Sequence, residues 1–276
     1  MSAMTPQEYE LLNEFLSEQF GLTFPEHKKE LLEGKLRPRI GSLGLKSFFD
    51  YYVYLQYDSN GELRKLAQLV TNNETYFFRE TGQFESFFEH AVPEIRSQYA
   101  ATSTLRILCA GCSSGEEPYT LSIFAKENQF RMWGTTVSID AFDLDESRLG
   151  IARKAVYGAS SFRGVDSEKL EKYFVPQTDG NRAVKPMYRS NVDFREGNIL
   201  SADTYRFPGV YDAIFCRNVL IYFTESTLRK AVANFATALR PGGFLFLGHS
   251  ESIIGLTEQF HPVRLGDTIA YRVEKD

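Results

Sequence analysis

Cysteine is scarce in this chain: three among 276 residues, which excludes a disulfide framework. Nor is there any run of eighteen apolar residues, or a basic N-terminal region followed by an apolar one, so no spanning helix or secretory leader is expected and the cytosol is the expected compartment. Excess charge of one sign is also missing. A net charge of −5 with 43% hydrophobic and 14% aromatic residues argues against both disorder and a general nucleic-acid binder, and supplies enough apolar material for one large domain or two modest ones. Cys109 and Cys112 form a lone C-x-x-C, but with no second pair and no His nearby the expectation is small residues closing a buried strand, and no metal.

What is present is organised around residues 105–117, LRILCAGCSSGEE. A short apolar β-type run breaks into a loop of small residues, and Glu116-Glu117-Pro118 opens a helical pattern, with Pro118 tolerated in a first turn. Strand, small-residue loop and helix start are how an open α/β sheet receives a nucleotide-like ligand. A pyrophosphate loop, however, offers bare N–H groups at a positive helix end, and two Glu would repel it. Carboxylates suit a ligand carrying an amino or sulfonium cation, which points to S-adenosylmethionine rather than NAD.

Upstream, residues 1–70 read as wholly helical. Thr5-Pro6-Gln7-Glu8 forms a capping box with Pro at N1, apolar Leu11, Leu12, Phe15, Leu16 and Phe20 follow at helical spacing, and Gly21 is a stop. A second helix begins near Glu26, and others are expected around 47–57 and 61–71. From His27 to Lys46 six basic residues face only Glu30 and Glu33, a local net of +4 in an acidic chain. This is either an ordinary solvated face or a docking surface for an acidic partner, with Lys28 and Lys35 on one side and Arg39 joining them only if the helix survives Pro38. Residues 72–80, NNETYFFRE, lead into an amphipathic segment carrying Phe84, Phe87, Phe88 and Ile95.

Downstream, strands and helices alternate. Thr136–Phe142 is a strand ending in Asp143-Leu144-Asp145, where an acid binds ribose hydroxyls in such sheets; either Asp could instead cap the helix expected over 145–156. Residues 157–192 break the rhythm, and Arg182–Val184 and Met187–Arg189 suggest short strands around a Gly180-Asn181 turn, an inserted hairpin or small sheet. Strands resume at 192–198, 211–216, 244–248 and as a pair in 259–273, with a helix over 224–239 stopped at Arg240-Pro241-Gly242-Gly243.

Taken together, AGCSSGEEPYT, NETYFFRE, DAIFCRNVLIYF and RPGGFLFLGHSES closely resemble bacterial chemotaxis receptor methyltransferases, the CheR family. The resemblance covers nearly the whole chain. It implies a Rossmann-like class I S-adenosylmethionine-dependent α/β methyltransferase domain over 101–276 with a β-subdomain inserted at about 157–192, an all-α receptor-docking domain over 1–72, and a linker with a long helix over 73–100 that completes the active site. It also implies transfer of a methyl group from S-adenosylmethionine to chemoreceptor glutamates, leaving S-adenosylhomocysteine. Carried over by motif, Asn73, Thr75 and Arg79 would contact the cofactor with Arg79 facing the reacting centre, Glu117 would bind the amino group, and Asp143 the ribose. Asn198, Ile199, Arg217 and Asn218 would line the adenosine side, and Tyr222 would sit near the transferred methyl. Lys28, Lys35, Arg37 and Arg39 would meet the receptor, Pro38 being expected to interrupt their helix, and the β-subdomain in some members docks a receptor tail. A monomeric, single-module protein with the cytoplasmic domains of receptors as partners is expected, without nucleic acid or membrane insertion.

The chemistry agrees with what the motifs lack. A glutamate side chain, with a free pKa of about 4.3, is already ionised at neutral pH, so no general base is needed and no His-based dyad accompanies the motifs. The site has to align reactants and exclude water, and Tyr222, Phe77 and Phe78 are candidate aromatic walls, core packing being the other job for the phenylalanines. Two other readings stand beside this one: a methyltransferase of the same fold acting on another protein, RNA or a small molecule, and a non-catalytic S-adenosylmethionine-binding module.

Overall fold

A computed structural model describes residues 2–57, 61–99, 104–132, 134–205 and 208–274; the expected boundary at 100/101 lies outside the described residues. The chain opens with four helices, α1 (Pro6–Phe20), α2 (Lys29–Ser42), α3 (Phe48–Gln56) and α4 (Glu62–Val70). The local chemistry that starts and stops them is that expected. Thr5 accepts from the Glu8 N–H while Glu8 reaches back to Thr5, Ser47 and Asp50 repeat the device at α3, and Gly21 closes α1 in a left-handed conformation. Leu12, Leu16, Leu32, Leu36, Ile40, Tyr51 and Leu66 have no exposed surface and form the core of this unit.

Pro38 does not interrupt α2. The carbonyl that loses its intrahelical donor belongs to Gly34, and both residues are exposed, so water can satisfy that carbonyl and no side chain crowds the ring. The basic face of α2 also makes contacts within the helical unit. Arg39 forks onto the buried Glu62 of α4 (Nε–Oε1 3.0 Å, Nη2–Oε2 2.5 Å), which also accepts from the Tyr51 hydroxyl at 2.8 Å. Lys35 donates to the Leu69 carbonyl at 2.8 Å and to that of Thr71 at 3.4 Å, satisfying the end of α4. Arg37 pairs with Glu33 and lies over the Phe48 ring. Only Lys28 of the four docking candidates is exposed. Half of the six local basic residues, Lys35, Arg37 and Arg39, are therefore tied into the helical unit itself. Arg39→Ala, which strands a buried carboxylate, is expected to cost about 3 kcal/mol in denaturant unfolding, whereas a purely surface role predicts a change within about 0.5 kcal/mol.

A bent helical segment follows: α5 (Gly82–Ser86), a π-helical turn over Phe87–Ala91, and α6 (Val92–Gln98). It buries Phe84, Phe87, Phe88 and Ile95 against one face of the sheet. Then come β1 (Thr104–Ala110), α7 (Glu116–Glu127), β2 (Thr136–Asp143), α8 (Glu146–Lys154), β3 (Val156–Tyr157), α9 (Ser167–Tyr173), β4 (Phe174–Pro176), β5 (Arg182–Val184), β6 (Val192–Glu196), β7 (Tyr211–Cys216), α10 (Glu225–Ala238), β8 (Leu239–Leu247), β9 (Phe260–Leu265) and β10 (Thr268–Val273). Seven strands make one sheet in the order β6-β2-β1-β7-β8-β10-β9, parallel from β6 to β8 and antiparallel at β10 and β9. The chain leaves β1 toward β2 and β6, then crosses back to β7. The switch point, where such sheets bind ligands, lies between β1 and β7.

The insertion is a three-stranded sheet, β3-β5-β4. The Gly180-Asn181 turn does join two strands, but the partner of Arg182–Val184 is Phe174–Pro176, upstream. Met187–Arg189 is not a strand: Pro186 lacks an N–H for a ladder and starts a 3-10 turn over Pro186–Tyr188. Strand β8 likewise begins at Leu239, five residues earlier than expected, because a bulge opposite Tyr211 absorbs the Pro-Gly-Gly stretch.

The helical unit and the sheet share a seam. The Tyr222 carbonyl accepts from both the N–H (2.9 Å) and the hydroxyl (2.8 Å) of Thr23, and Arg64 pairs with Glu196 at 2.8 Å. Gly21, at φ +79°, lies so close to Phe223 that a Cβ there would come within 2.7 Å of the ring.

Candidate functional site

A cleft of about 950 Å³, its open mouth included, lies at the switch point. Its floor is the loop after β1. Gly111 takes φ +78°, and a Cβ there would meet the Val219 side chain at 2.7 Å, so only glycine lets the β1 and β7 loops close up. The loop is held from the β2 side by Asp143, whose two oxygens accept the N–H groups of Ser113 (2.7 Å) and Asp145 (2.9 Å). Burial pushes the Asp143 carboxyl up to about 6 despite these bonds. Asp145, not Asp143, caps α8, accepting from Ser147 and Arg148.

The two glutamates opening α7 have separate jobs. Glu116 is fully buried, accepts from the hydroxyls of Ser114 (2.9 Å) and Ser161 (2.8 Å), and ties the loop to the inserted subdomain. Glu117 lines the cleft. Desolvation pushes its carboxyl up, opposed by Arg217, whose Nη1 lies 3.1 Å from Oε2.

Arg217, at the end of β7, is the node of the cleft. Its Nη2 donates to the Glu80 carboxylate (2.9 Å) and to the Arg79 carbonyl (2.8 Å), its guanidinium lies 4.8 Å from the Phe84 ring centroid, and its side chain is 2% exposed. Arg217 thus sits with Glu117 on the β7 side of β1, whereas Asp143, Asn198 and Ile199 line the cleft from the β2 and β6 side. Strand order thus sets Arg217 across β1 from Asn198 and Ile199 within the same cleft. Asn218 also lines the cleft from the β7 side, in a left-handed conformation at φ +62°.

Residues 71–79 close the cleft from above. Asn72 donates to the Tyr222 hydroxyl at 2.7 Å, and the Asn73 amide reaches Asp145 at 2.9 Å. Thr75 and Tyr76 line the wall, and Arg79 donates to the Glu74 carbonyl at 3.2 Å with its guanidinium 5.6 Å from the Tyr76 ring centroid. On the far side the Asn198 amide donates to the Gln19 carbonyl at 2.7 Å, so α1 reaches the cleft as well. Every residue expected to bind cofactor or act on it therefore lines one cleft: Asn73, Thr75, Arg79, Glu117, Asp143, Asn198, Ile199, Arg217, Asn218 and Tyr222.

Of the three expected aromatic walls, Tyr222 lines the cleft but Phe77 and Phe78 do not. Phe77 packs between Phe162, Phe174 and Tyr157, and Phe78 against Tyr173, both beneath the inserted subdomain. Phe20, Leu22, Phe142 and Phe223 line the cleft instead, two of them from the helical unit. Two acids also went unremarked. Glu80 bridges the two arginines, and Glu251 accepts the N–H groups of Asn218, Val219, Leu220, Ile221 and Gly248 at 2.6–3.2 Å, fixing the loop that carries Tyr222. Their only prior signal was membership of the polar clusters after β8 and before α5. Cys109, Cys112 and Cys216 are free and buried, with thiols pushed up by burial. Among the described residues no group of three or more His, Cys, Asp or Glu is placed to hold a metal.

The comparisons with known proteins agree with this geometry. The all-alpha domain of CheR methyltransferases matches residues 7–71, and their SAM-binding domain matches residues 73–269. Chemotaxis protein methyltransferase 2 of Vibrio cholerae is 34% identical over 269 residues, covering 97% of this chain and 93% of its own length. Chemotaxis protein methyltransferase 1 of Pseudomonas aeruginosa is 35% identical, covering 97% and 98%. The chemotaxis protein methyltransferase of Escherichia coli is 31% identical, covering 99% and 93%. With both domains matched in order across a cleft that both build, the chain belongs to the CheR methyltransferase family.

Proposed function

We propose that this protein transfers the methyl group of S-adenosylmethionine to glutamate side chains on the cytoplasmic domains of chemoreceptors, giving methyl esters and S-adenosylhomocysteine. The observation that carries this reading is the placement of Arg79 on the same cleft as Glu117, a carboxylate-binding cation facing a cation-binding carboxylate. The donor set fits the cofactor: Glu117 for an ammonium, Asp143 for ribose hydroxyls, and the apolar Ile199, Leu22 and Phe142 for a base. When bound, S-adenosylmethionine supplies a methyl carbon made electrophilic by its sulfonium. Arg79 holds one oxygen of the acceptor carboxylate and leaves the other to attack, and Tyr222, which accepts from Asn72, keeps its own O–H to donate. No proton has to be removed from the acceptor. Positive and negative charge annihilate during transfer, so the aromatic lining that displaces water favours the reaction. The unit over residues 1–72 supplies one wall of the cleft and, through exposed Lys28, part of the docking face; residues 73–100 supply the strap and bent helix. One chain provides both walls, so a monomer is the proposed form.

The test is transfer of radiolabelled methyl to receptor cytoplasmic fragments followed by alkali. Volatile, base-labile label is expected. Base-stable label would mean N-methylation, and no label would leave a binding module.

Asp143 gives a pH signature. Its carboxyl is raised in the folded protein, so without ligand its ionised form costs stability, a cost that grows as pH rises from about 4 through about 6. Hydroxyl donors favour the ionised form, so ligand binding lowers that pKa. S-adenosylhomocysteine affinity is therefore full above about pH 6 and falls on acidification, by up to about tenfold per pH unit. Calorimetry from pH 5 to 8 measures this; Asp143→Asn should flatten the profile to the share of Glu117, and an unaltered profile would remove Asp143 from the ligand.

A further inference from the structure

Glu80 is a half-buried acid outside any expected role, held at φ +53° between two arginines, with its side chain 18% exposed. Its Oε2 accepts from Arg217 Nη2 at 2.9 Å, its Oε1 lies 3.9 Å from Arg79 Nε, and the His249 ring nitrogen is 3.8 Å away. Arg217 is shared: on one side Glu80, on the other Glu117, 3.1 Å away. A cation that close to Glu117 competes with any ammonium the carboxylate is to bind. Glu80 offsets that competition, because a second negative charge on the far side of the guanidinium cancels much of its field at Glu117.

We propose that Glu80 is a positioning residue for the amino-acid end of the cofactor: as the counter-ion of Arg217, it keeps Glu117 available to the ligand's ammonium. This rests on the reading of Glu117 given above. Glu80 acts on the ligand through Arg217, and its effect is confined to the ligand's positive end. A merely structural acid would instead affect every ligand of the cleft alike.

The experiment is calorimetry with S-adenosylhomocysteine, its deaminated analogue, which keeps the carboxylate but lacks the ammonium, and 5′-methylthioadenosine, which lacks both. Glu80→Gln keeps an oxygen to accept from Arg217 but removes the charge. It should weaken S-adenosylhomocysteine about tenfold and leave the other two ligands unweakened. Glu80→Gly, which accepts positive φ without strain, should show the same split among the three ligands, with a lower Tm because the buried Arg217 loses a partner. Equal weakening of all three ligands, or of none, by both Glu80 variants overturns the proposal. Glu117→Gln in parallel separates the two ideas. If it discriminates between the ammonium-bearing and deaminated ligands while the Glu80 variants do not, Glu80 alone is misassigned. If Glu117→Gln does not discriminate, the reading of Glu117 fails and takes the role of Glu80 with it.

Discussion

Methyl transfer by the Arg79→Ala variant is expected to fall by roughly 10²–10³ while its fold and its affinity for S-adenosylhomocysteine stay near normal. The Arg79 side chain donates to a backbone carbonyl at 3.2 Å, lies 3.9 Å from the Glu80 carboxylate, and sits over an aromatic ring at the surface of the cleft. Losing those contacts costs about 1 kcal/mol or less of stability. Among the described residues lining the cleft, the other guanidinium, Arg217, is already held by Glu80 and Glu117, and an acceptor carboxylate without Arg79 samples orientations in which neither oxygen faces the methyl carbon. Arg79→Lys keeps the charge but not the fork, so it should recover only part of the rate. Steady-state kinetics with receptor fragments, beside calorimetry for the cofactor product, separates these effects. Turnover within threefold of the parent would take Arg79 out of the reaction.

Arg217→Met should damage both stability and ligand binding. It leaves Glu80 and Glu117 facing each other without the guanidinium between them, and it frees the Arg79 carbonyl. Removing one member of a largely buried ionic cluster costs about 3 kcal/mol, measurable by denaturant unfolding. A Glu80→Leu, Arg217→Met double variant should regain part of that loss, since it removes the uncompensated charge as well as its partner. A single-variant loss below about 1 kcal/mol would mean that water already screens the pair.

The sequence shows this architecture most clearly where the chemistry is local. Thr5 and Glu8, Asp145 and the start of α8, and the run Tyr211–Cys216 are set by neighbours a few residues away, and each sits as expected. Residue types also suffice for the cleft, because strand ends converge at a switch point and carry their polar residues with them. What spacing cannot show is which distant partner claims a charge. Arg39 reads as a surface cation until Glu62, 23 residues on, is found buried beside it. Arg217 reads only as a residue at a strand end until Glu80 and Glu117, 137 and 100 residues away, are found on its guanidinium. Phe77 and Phe78 differ from Tyr76 by one or two positions, and only the reversal to φ +61° at Phe78 shows that they turn toward the inserted subdomain. Pro38 shows the reverse error: a strong local rule yields because the residue four positions back is an exposed glycine.

The seam at Thr23, Gly21 and Phe223 bears on how such a protein can be inherited. Phe20 and Leu22 face the ligand cleft, the Tyr222 carbonyl is held by Thr23, and Gly21 has no room for a side chain against Phe223. Recombination that exchanged the first seventy residues for those of a distant cousin would have to preserve all of these contacts to keep the cleft. The two units differ in architecture, yet the cleft depends on contacts from both, so a change on one side of the seam alters the fit of the other.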